Sequence, residues 1–245
     1  MTFLNWKKIR AAATPFCSAV IVAAGNASRM RGTDKIMAEL DGKPLIFHTI
    51  CAFEKNPLIS EICIVTREDL LVPIAQLCEV SSFEKTTAVL LGGDTREGSV
   101  QAGLDLLSKK AKLVAVHDGA RPLVSQKIIS EAVLAAAKFG ASAPAIPVKD
   151  TVKRAQSGFV KETPPREELF AVQTPQVFDV DLLRAALQDA ENHNATVTDD
   201  CSAVERIGMR VRLTEGEERN LKITTPPDIA LAAYLLKNDP EVTEP

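Results

Sequence analysis

Aromatic side chains are scarce in this chain, 4% of 245 residues with one tryptophan and one tyrosine, so Ala, Val, Leu and Ile carry most of an apolar fraction of 46%. That mixture suits strands buried on both faces under helices of small residues. Positive charge is not in excess: the net charge is −3 and the pI about 5.7. No global field draws the chain to nucleic acid or to an anionic membrane, so any nucleotide bound here is held by a few placed cations. No C-x-x-C pair occurs. The five cysteines (Cys17, Cys51, Cys63, Cys78, Cys201) are odd in number, and none stands near a histidine at metal-ligand spacing. This argues against a disulfide framework and a zinc site, and for reduced thiols in a cytoplasmic protein. No apolar run reaches membrane-spanning length. Lys7, Lys8 and Arg10 before the run Ala11 to Ala24 copy the outline of a secretory signal, but Pro15 interrupts it and its end reads as the first core strand. The sequons at Asn26 and Asn194 therefore carry no expectation of glycosylation.

What is present is a strand-helix rhythm. Ala19 to Gly25, Ile59 to Thr66, Thr86 to Gly93, Leu113 to Gly119 and Ser142 to Val148 read as strands. Between them run helical patterns, one opened by Pro44, one from Glu68 to Cys78, one carrying Val100, Leu104 and Leu107. A fourth, after Leu113 to Gly119, is capped by Ser125, stopped by Gly140, and turns Ile129, Val133, Ala136 and Phe139 inward. Such alternation predicts a doubly wound, mostly parallel α/β sheet of the Rossmann-like kind, with ligands beyond the carboxyl ends of its strands. The rhythm breaks at Asp150, where TVKRA and FVKET flank Gln156-Ser157-Gly158 as a β-hairpin. Two strands alone are marginal in water, so this arm leans on its own domain or on a second copy. Helices follow at Asp179 to Glu191, Ser202 to Ile207 and Pro227 to Asn238, with short strands expected in MRVRLTEG and NLKIT. The division expected is an N-terminal extension at 1–18, one domain over 19–238 with a hairpin arm at 149–168, and a loose tail at 239–245.

Three strand-end loops carry chemistry. After the first strand, Ala23, Ala24 and Gly25 leave main-chain N–H groups open to an anion, and Arg29 and Lys35 add two charges. The alternative is a plain turn with solvated basic residues. The dinucleotide fingerprint fails at Ala27, and the P-loop pattern fails at Ser99, where its lysine belongs. After the third strand, Gly92 and Gly93 expose main chain while Asp94 and Ser99 offer polar groups to a base; alternatively, Asp94 or Thr95 caps a helix. After the fourth, Asp118 and Arg121 put opposite charges at the ligand edge, for sugar hydroxyls or Mg²⁺ and for a phosphate. They could equally form a structural ion pair. His117 reads as a packed histidine.

Taken in order, AAG…SRM…K, GGD-x-R-x-x-S-V, VHD-x-ARP, PV-x-DTVKR, TPQ-x-F, TDD and LKIT-x-P-x-D resemble the 2-C-methyl-D-erythritol 4-phosphate cytidylyltransferases from Ala19 to about Leu235. The resemblance implies a homodimer whose arm reaches the partner's site. It implies transfer of CMP from CTP to methylerythritol phosphate, in non-mevalonate isoprenoid synthesis. Arg29, Lys35 and Lys222 would be catalytic, binding phosphates and stabilising the transition state. Ala23, Ala24, Gly25, Gly93, Asp94, Ser99 and Asp118 would take the nucleotide. Asp118, Arg121, Thr174 and Thr198 would hold the acceptor, with Thr151 and Arg166 lent by the other subunit. Mg²⁺ would travel mainly on the CTP phosphates, with no dedicated protein metal site. The chain departs from the family where Ala27 replaces a usual Gly, and where Asp34-Lys35-Ile36 replaces a common Pro-Lys-Gln. Two rivals stay open: another acceptor such as ribitol 5-phosphate, or a nucleotide-binding module without turnover.

Overall fold

The computed structural model describes residues 15–25 and 34–238. Its elements run β1 Cys17–Ala23, β2 Glu39–Leu40, β3 Lys43–Pro44, α1 Leu45–Lys55, β4 Ile59–Thr66, α2 Glu68–Val80, β5 Thr86–Leu91, α3 Arg96–Asp105 and β6 Leu113–Asp118. Then come α4 Gln126–Phe139, β7 Ala141–Pro147, β8 Arg154–Gln156, β9 Phe159–Glu162, β10 Phe170–Val172, β11 Gln176–Asp179, α5 Val180–Asn192, α6 Asp200–Arg206, β12 Arg212–Glu215 and α7 Pro226–Lys237.

The main sheet has the order β10-β7-β11-β6-β1-β4-β5, with β12 added parallel to β7. Strands β6, β1, β4 and β5 run parallel. The period-two alternation of β1 explains its place in the interior of the sheet, with β6 and β4 on its two sides and β5 at the edge. Ala19 and Ile21 pack on one face with α1, α2, α4 and α7, while Val20 packs on the other with α3, α5 and α6. Small side chains let helix and sheet approach closely: a Cβ on Gly103 of α3 would sit 2.6 Å from a Val20 methyl. Helix α4 takes the signals expected of it: Ser125 accepts from the Ile128 N–H, and Gly140 ends it in the left-handed region at φ 83°. No helix among the described residues is long and apolar enough to cross a membrane.

Four details differ from expectation. The first strand begins at Cys17, so residues 17–18 belong to the sheet and not to an extension. Two strands are antiparallel: β11 wedges between β6 and β7, and β10 pairs with the far end of β7. At four and three residues they are too short to leave a periodic signal. NLKIT forms no strand; Asn220 is held by side-chain bonds to Gln173 and Thr174, and the Ile223 N–H donates to the Ala120 carbonyl. Phe139 is 43% exposed, because the helix stops beside it and its ring lies on the outside under Lys138 and Arg212.

The hairpin forms its own two-stranded sheet of β8 and β9, turned by Ser157 and Gly158 at φ 51° and 83°. Both central residues are left-handed, as a type I′ turn requires. Every residue of both strands is exposed, Phe159 by 79% and Val160 by 62%.

Candidate active site

The carboxyl ends of β1, β5 and β6 open on one cleft of about 230 Å³. Its walls bring together Ala23, Ala24, Gly25, Lys35, Gly93, Asp94, Ser99, Asp118 and Lys222, which in sequence span most of the chain. A larger open hollow of about 440 Å³ between α2 and β5 gathers none of the predicted site residues.

Glycine allows the walls to meet. A Cβ on Gly92 would lie 2.7 Å from both Ala24 Cβ and Ser99 Oγ, so any side chain there would push the β5 loop off the β1 loop. The structural reading of this loop holds for two residues. Thr95 caps α3 by accepting from the Gly98 N–H, and the Ser99 hydroxyl, 2% exposed, donates to the Thr95 carbonyl at 2.9 Å. Ser99 thus shapes the Gly93–Asp94 main chain at the cleft wall.

Asp118 is the electrostatic centre. It is 8% exposed, and its Oδ2 accepts from Lys222 Nζ at 3.0 Å and Arg121 Nε at 3.3 Å. Burial pushes its carboxyl up, but Lys222 and Arg121, helped by Arg96, outweigh burial and hold it at about 2. The ion-pair reading of Asp118 and Arg121 is therefore correct as geometry, and it widens to a triad with Lys222. Arg121 also donates to the Asn220 carbonyl at 2.6 Å, and burial lowers its guanidinium. Lys222 keeps 44% of its side chain exposed.

Beneath the triad lies a buried relay. The Asp118 N–H donates to Thr174 Oγ1 at 3.2 Å, and Thr174 Oγ1 stands 3.0 Å from His117 Nδ1. His117 Nε2 lies 3.3 Å from the Arg121 carbonyl, which accepts only, so the network assigns the proton to Nε2. Burial pulls the imidazole down to about 3, and Asp118 offsets that only in part. Thr174, 4% exposed, supports Asp118 from below.

Not every predicted residue reaches the cleft. Thr151 and Arg166 lie on the exposed arm, where Arg166 donates to the Lys149 carbonyl, and neither lines the cleft. Thr198 is exposed at the start of the α6 cap, its N–H donating to Ser202 Oγ. Arg29 lies outside the described residues.

Two side-chain pairings escaped the sequence. Arg96 lines the cleft and pairs with buried Asp200. Arg67 ties together Gly25 and Asp34, the residues that flank 26–33: it donates to the Gly25 carbonyl at 3.3 Å and to the Asp34 carboxylate. The other Asp34 oxygen accepts from the Ile36 and Met37 N–H groups. An aspartate in place of a common proline thus fixes the turn that presents Lys35 by hydrogen bonds instead of by a ring. Arg67→Ala should weaken the hold of this cleft on its ligand, read as kcat/KM, by roughly fivefold, about 1 kcal/mol, as expected for a partly exposed charge-assisted bond. Unchanged steady-state kinetics would show that this clasp does nothing for the cleft.

A family model described as 2-C-methyl-D-erythritol 4-phosphate cytidylyltransferase matches residues 17–238. The cytidylyltransferase of that name from Halalkalibacterium halodurans is 44% identical over 220 residues, covering 89% of this chain and 96% of its own. That from Desulforamulus reducens is 45% identical over 225 residues, covering 89% and 95%. Among solved structures, the 4-diphosphocytidyl-2C-methyl-D-erythritol synthase from Anaerococcus prevotii superposes with a TM-score of 0.82 at 32% identity, over 91% of this chain and 97% of its own. The 2-C-methyl-D-erythritol 4-phosphate cytidylyltransferase from Thermus thermophilus gives 0.75 at 33%, over 91% and 99%.

Proposed function

The chain belongs to the 2-C-methyl-D-erythritol 4-phosphate cytidylyltransferase family and transfers CMP from CTP to that acceptor; on that footing we propose which residues do the work and how the subunits share it. The cleft of Lys35, Asp118 and Lys222 around the Ala23–Gly25 and Gly93–Asp94 main chain is the observation that carries the assignment.

The reaction needs no protein nucleophile. An oxygen of the acceptor phosphate, largely dianionic because its second pKa is about 6, attacks the CTP α-phosphorus. The bond from that phosphorus to the α,β-bridging oxygen breaks, and pyrophosphate leaves with its electron pair. Repulsion between the two polyanions opposes their approach. At about 4 Å, two unit charges repel by about 1 kcal/mol in water and several times more in a drier cleft. We assign Lys35, Lys222 and Arg29 to offset that repulsion and to stabilise the transition state. Ala23, Ala24, Gly25, Gly93 and Asp94 face the nucleotide, with Ser99 shaping their loop. Asp118, with Arg121 and Thr174 behind it, positions Lys222 and accepts from a hydroxyl of ribose or acceptor; Thr198, exposed at the α6 cap, is assigned to the acceptor.

Among the described residues no three His, Cys, Asp or Glu side chains gather as a metal site. Asp94 and Asp118 are, among the described residues, the carboxylates on the cleft wall, and Asp118 is committed to cations. That donor set suits a Mg²⁺ ion carried mainly by the triphosphate, which Asp94 would help to hold. When bound, it would supply further charge neutralisation.

We read the chain as one catalytic domain with an arm at 149–168, working in the cytoplasm as a homodimer on small phosphorylated substrates and not on nucleic acid or membrane. The five free cysteines and the net charge of −3 support the compartment and the substrates. The arm's exposed Val152, Phe159 and Val160 support the dimer, since two isolated strands need a surface to rest on. On this reading Thr151 and Arg166 complete the partner's cleft. Mixing an Arg166→Ala chain with a Lys35→Ala chain should therefore recover activity that neither homodimer has, approaching a quarter of wild type for random pairing, about one intact site per two in half the dimers. Absence of any recovery, with dimers verified by sedimentation, would rule out arm exchange.

A further inference from the structure

Among the described residues, a third cation faces the cleft beside Lys35 and Lys222. Arg96 opens α3, separated from the Gly93–Asp94 main chain by the Thr95 cap, and its side chain is 27% exposed where it lines the cleft. Its NH2 donates to Asp200 Oδ2 at 2.7 Å. Asp200 is 1% exposed, and its second oxygen, Oδ1, is buried with no hydrogen-bond partner.

This is a costly arrangement for structure alone. Burial pushes the Asp200 carboxyl up, and Arg96 is the cation that counters it. A buried ion pair with an unsatisfied oxygen is a poor way to join α3 to α6, because apolar side chains of similar size commonly do as well or better. The pair makes sense if the guanidinium is wanted at the cleft. A guanidinium is planar, permanently charged and able to offer several N–H donors at once. A carboxylate holding one of its nitrogens limits the swing of the head and leaves the remaining N–H groups for an incoming anion. The neighbouring carboxylates Asp118 and Asp199 add to the potential that keeps Arg96 charged.

We propose that Arg96 binds a substrate phosphate in this cleft and that Asp200 is the positioning residue that aims it. The proposal rests on the reading of the cleft given above. Its chemistry is that of a phosphate oxygen, whether on the nucleotide or on the acceptor.

The test is steady-state kinetics of Arg96→Gln, Arg96→Lys and Asp200→Asn, with CTP and methylerythritol phosphate varied separately and thermal unfolding recorded beside them. Arg96→Gln should raise the KM of one substrate by about tenfold or more, the scale of one lost charged contact. The substrate affected identifies which phosphate is held. Arg96→Lys should recover only part of the loss, since an ammonium lacks the fork. Asp200→Asn should raise the same KM by a smaller factor, and the double variant should be no worse than Arg96→Gln alone, because both changes remove one unit. A purely structural pair would lower the unfolding temperature and leave both KM values within twofold of wild type, which would overturn the proposal. Should Arg96→Gln not fold, the other two variants carry the same test. Lys222→Ala run in parallel separates the two levels. If it loses turnover while both KM values of the Arg96 variants stay put, this inference alone fails; if it is inert, the reading of the cleft fails.

Discussion

Lys222→Ala is expected to lower kcat by about 10²- to 10³-fold, the loss seen when one preorganised donor to a developing anion is removed. The size follows from what the residue does twice. Its ammonium stands 3.0 Å from Asp118 while 44% of the side chain remains open, so a single group neutralises the carboxylate and still presents charge to the cleft. Truncation removes that charge from the place where the two polyanions meet. It also leaves Asp118 with Arg121 as its close cation, raising the negative potential exactly where a further anion must enter. Because Asp118 keeps Arg121, the fold should survive, and the unfolding temperature should shift by only a few degrees, corresponding to about 1 kcal/mol. The measurement is single-turnover CMP transfer at saturating CTP. A rate within threefold of wild type would remove Lys222 from the mechanism. Lys35→Ala, measured alongside, should fall by about 10²-fold on the same argument.

Much of this cleft was legible because phosphate chemistry constrains backbone as well as side chains. Small residues at the end of β1, paired glycines after β5 and a charged pair after β6 are all local signals, and the sheet delivers their loops to one edge by topology alone. The cap at Ser125, the stop at Gly140 and the turn at Ser157-Gly158 were readable for the same reason, since each is decided within a few residues. What the sequence hid was pairing at long range. Nothing local in Gln176–Asp179 says that it inserts between β6 and β7; that place is set by its fit to Val114, Ala115 and Val116 on one side and to Ala141 and Ser142 on the other. Arg96 and Asp200 stand in separate motifs, and only the fold brings them to 2.7 Å. Ser99 and Thr174 were read as ligand contacts, yet both spend hydroxyl bonds on the protein, because a polar group buried at the sheet edge must be satisfied there first. His117, by contrast, reads as a packed histidine from the sequence, and its surroundings agree: it is fully buried, with Thr174 and the Arg121 carbonyl on its two nitrogens.

The acid limit of stability should be set largely by that histidine. In the unfolded chain His117 accepts a proton near pH 6.5, whereas in the folded protein burial holds it neutral down to about 3. A group with a depressed folded pKa stabilises fully above its unfolded value and loses that contribution as the pH falls through the window between the two, at about 1.4 kcal/mol per pH unit. Asp118 acts later: its folded value of about 2 against an unfolded value of about 3.9 confines its effect to below about pH 4. His48, also lowered by burial, adds to the slope, while Asp200 and Glu131, raised by burial, oppose it. The difference between two chains isolates the one group. In urea unfolding, His117→Gln should be less stable than wild type at pH 8, through lost packing and the lost Thr174 bond. Between pH 6.5 and 4.5 that gap should close by about 2–3 kcal/mol, because the variant has no proton to take up there. A gap constant across this range would show that His117 does not titrate as its burial requires. The consequence reaches the cleft. A proton on Nδ1 would face Thr174 Oγ1 and force that hydroxyl to turn, loosening the bond that holds the Asp118 main chain. Acid inactivation would then come from losing the floor under Asp118 and Lys222, with no catalytic base involved.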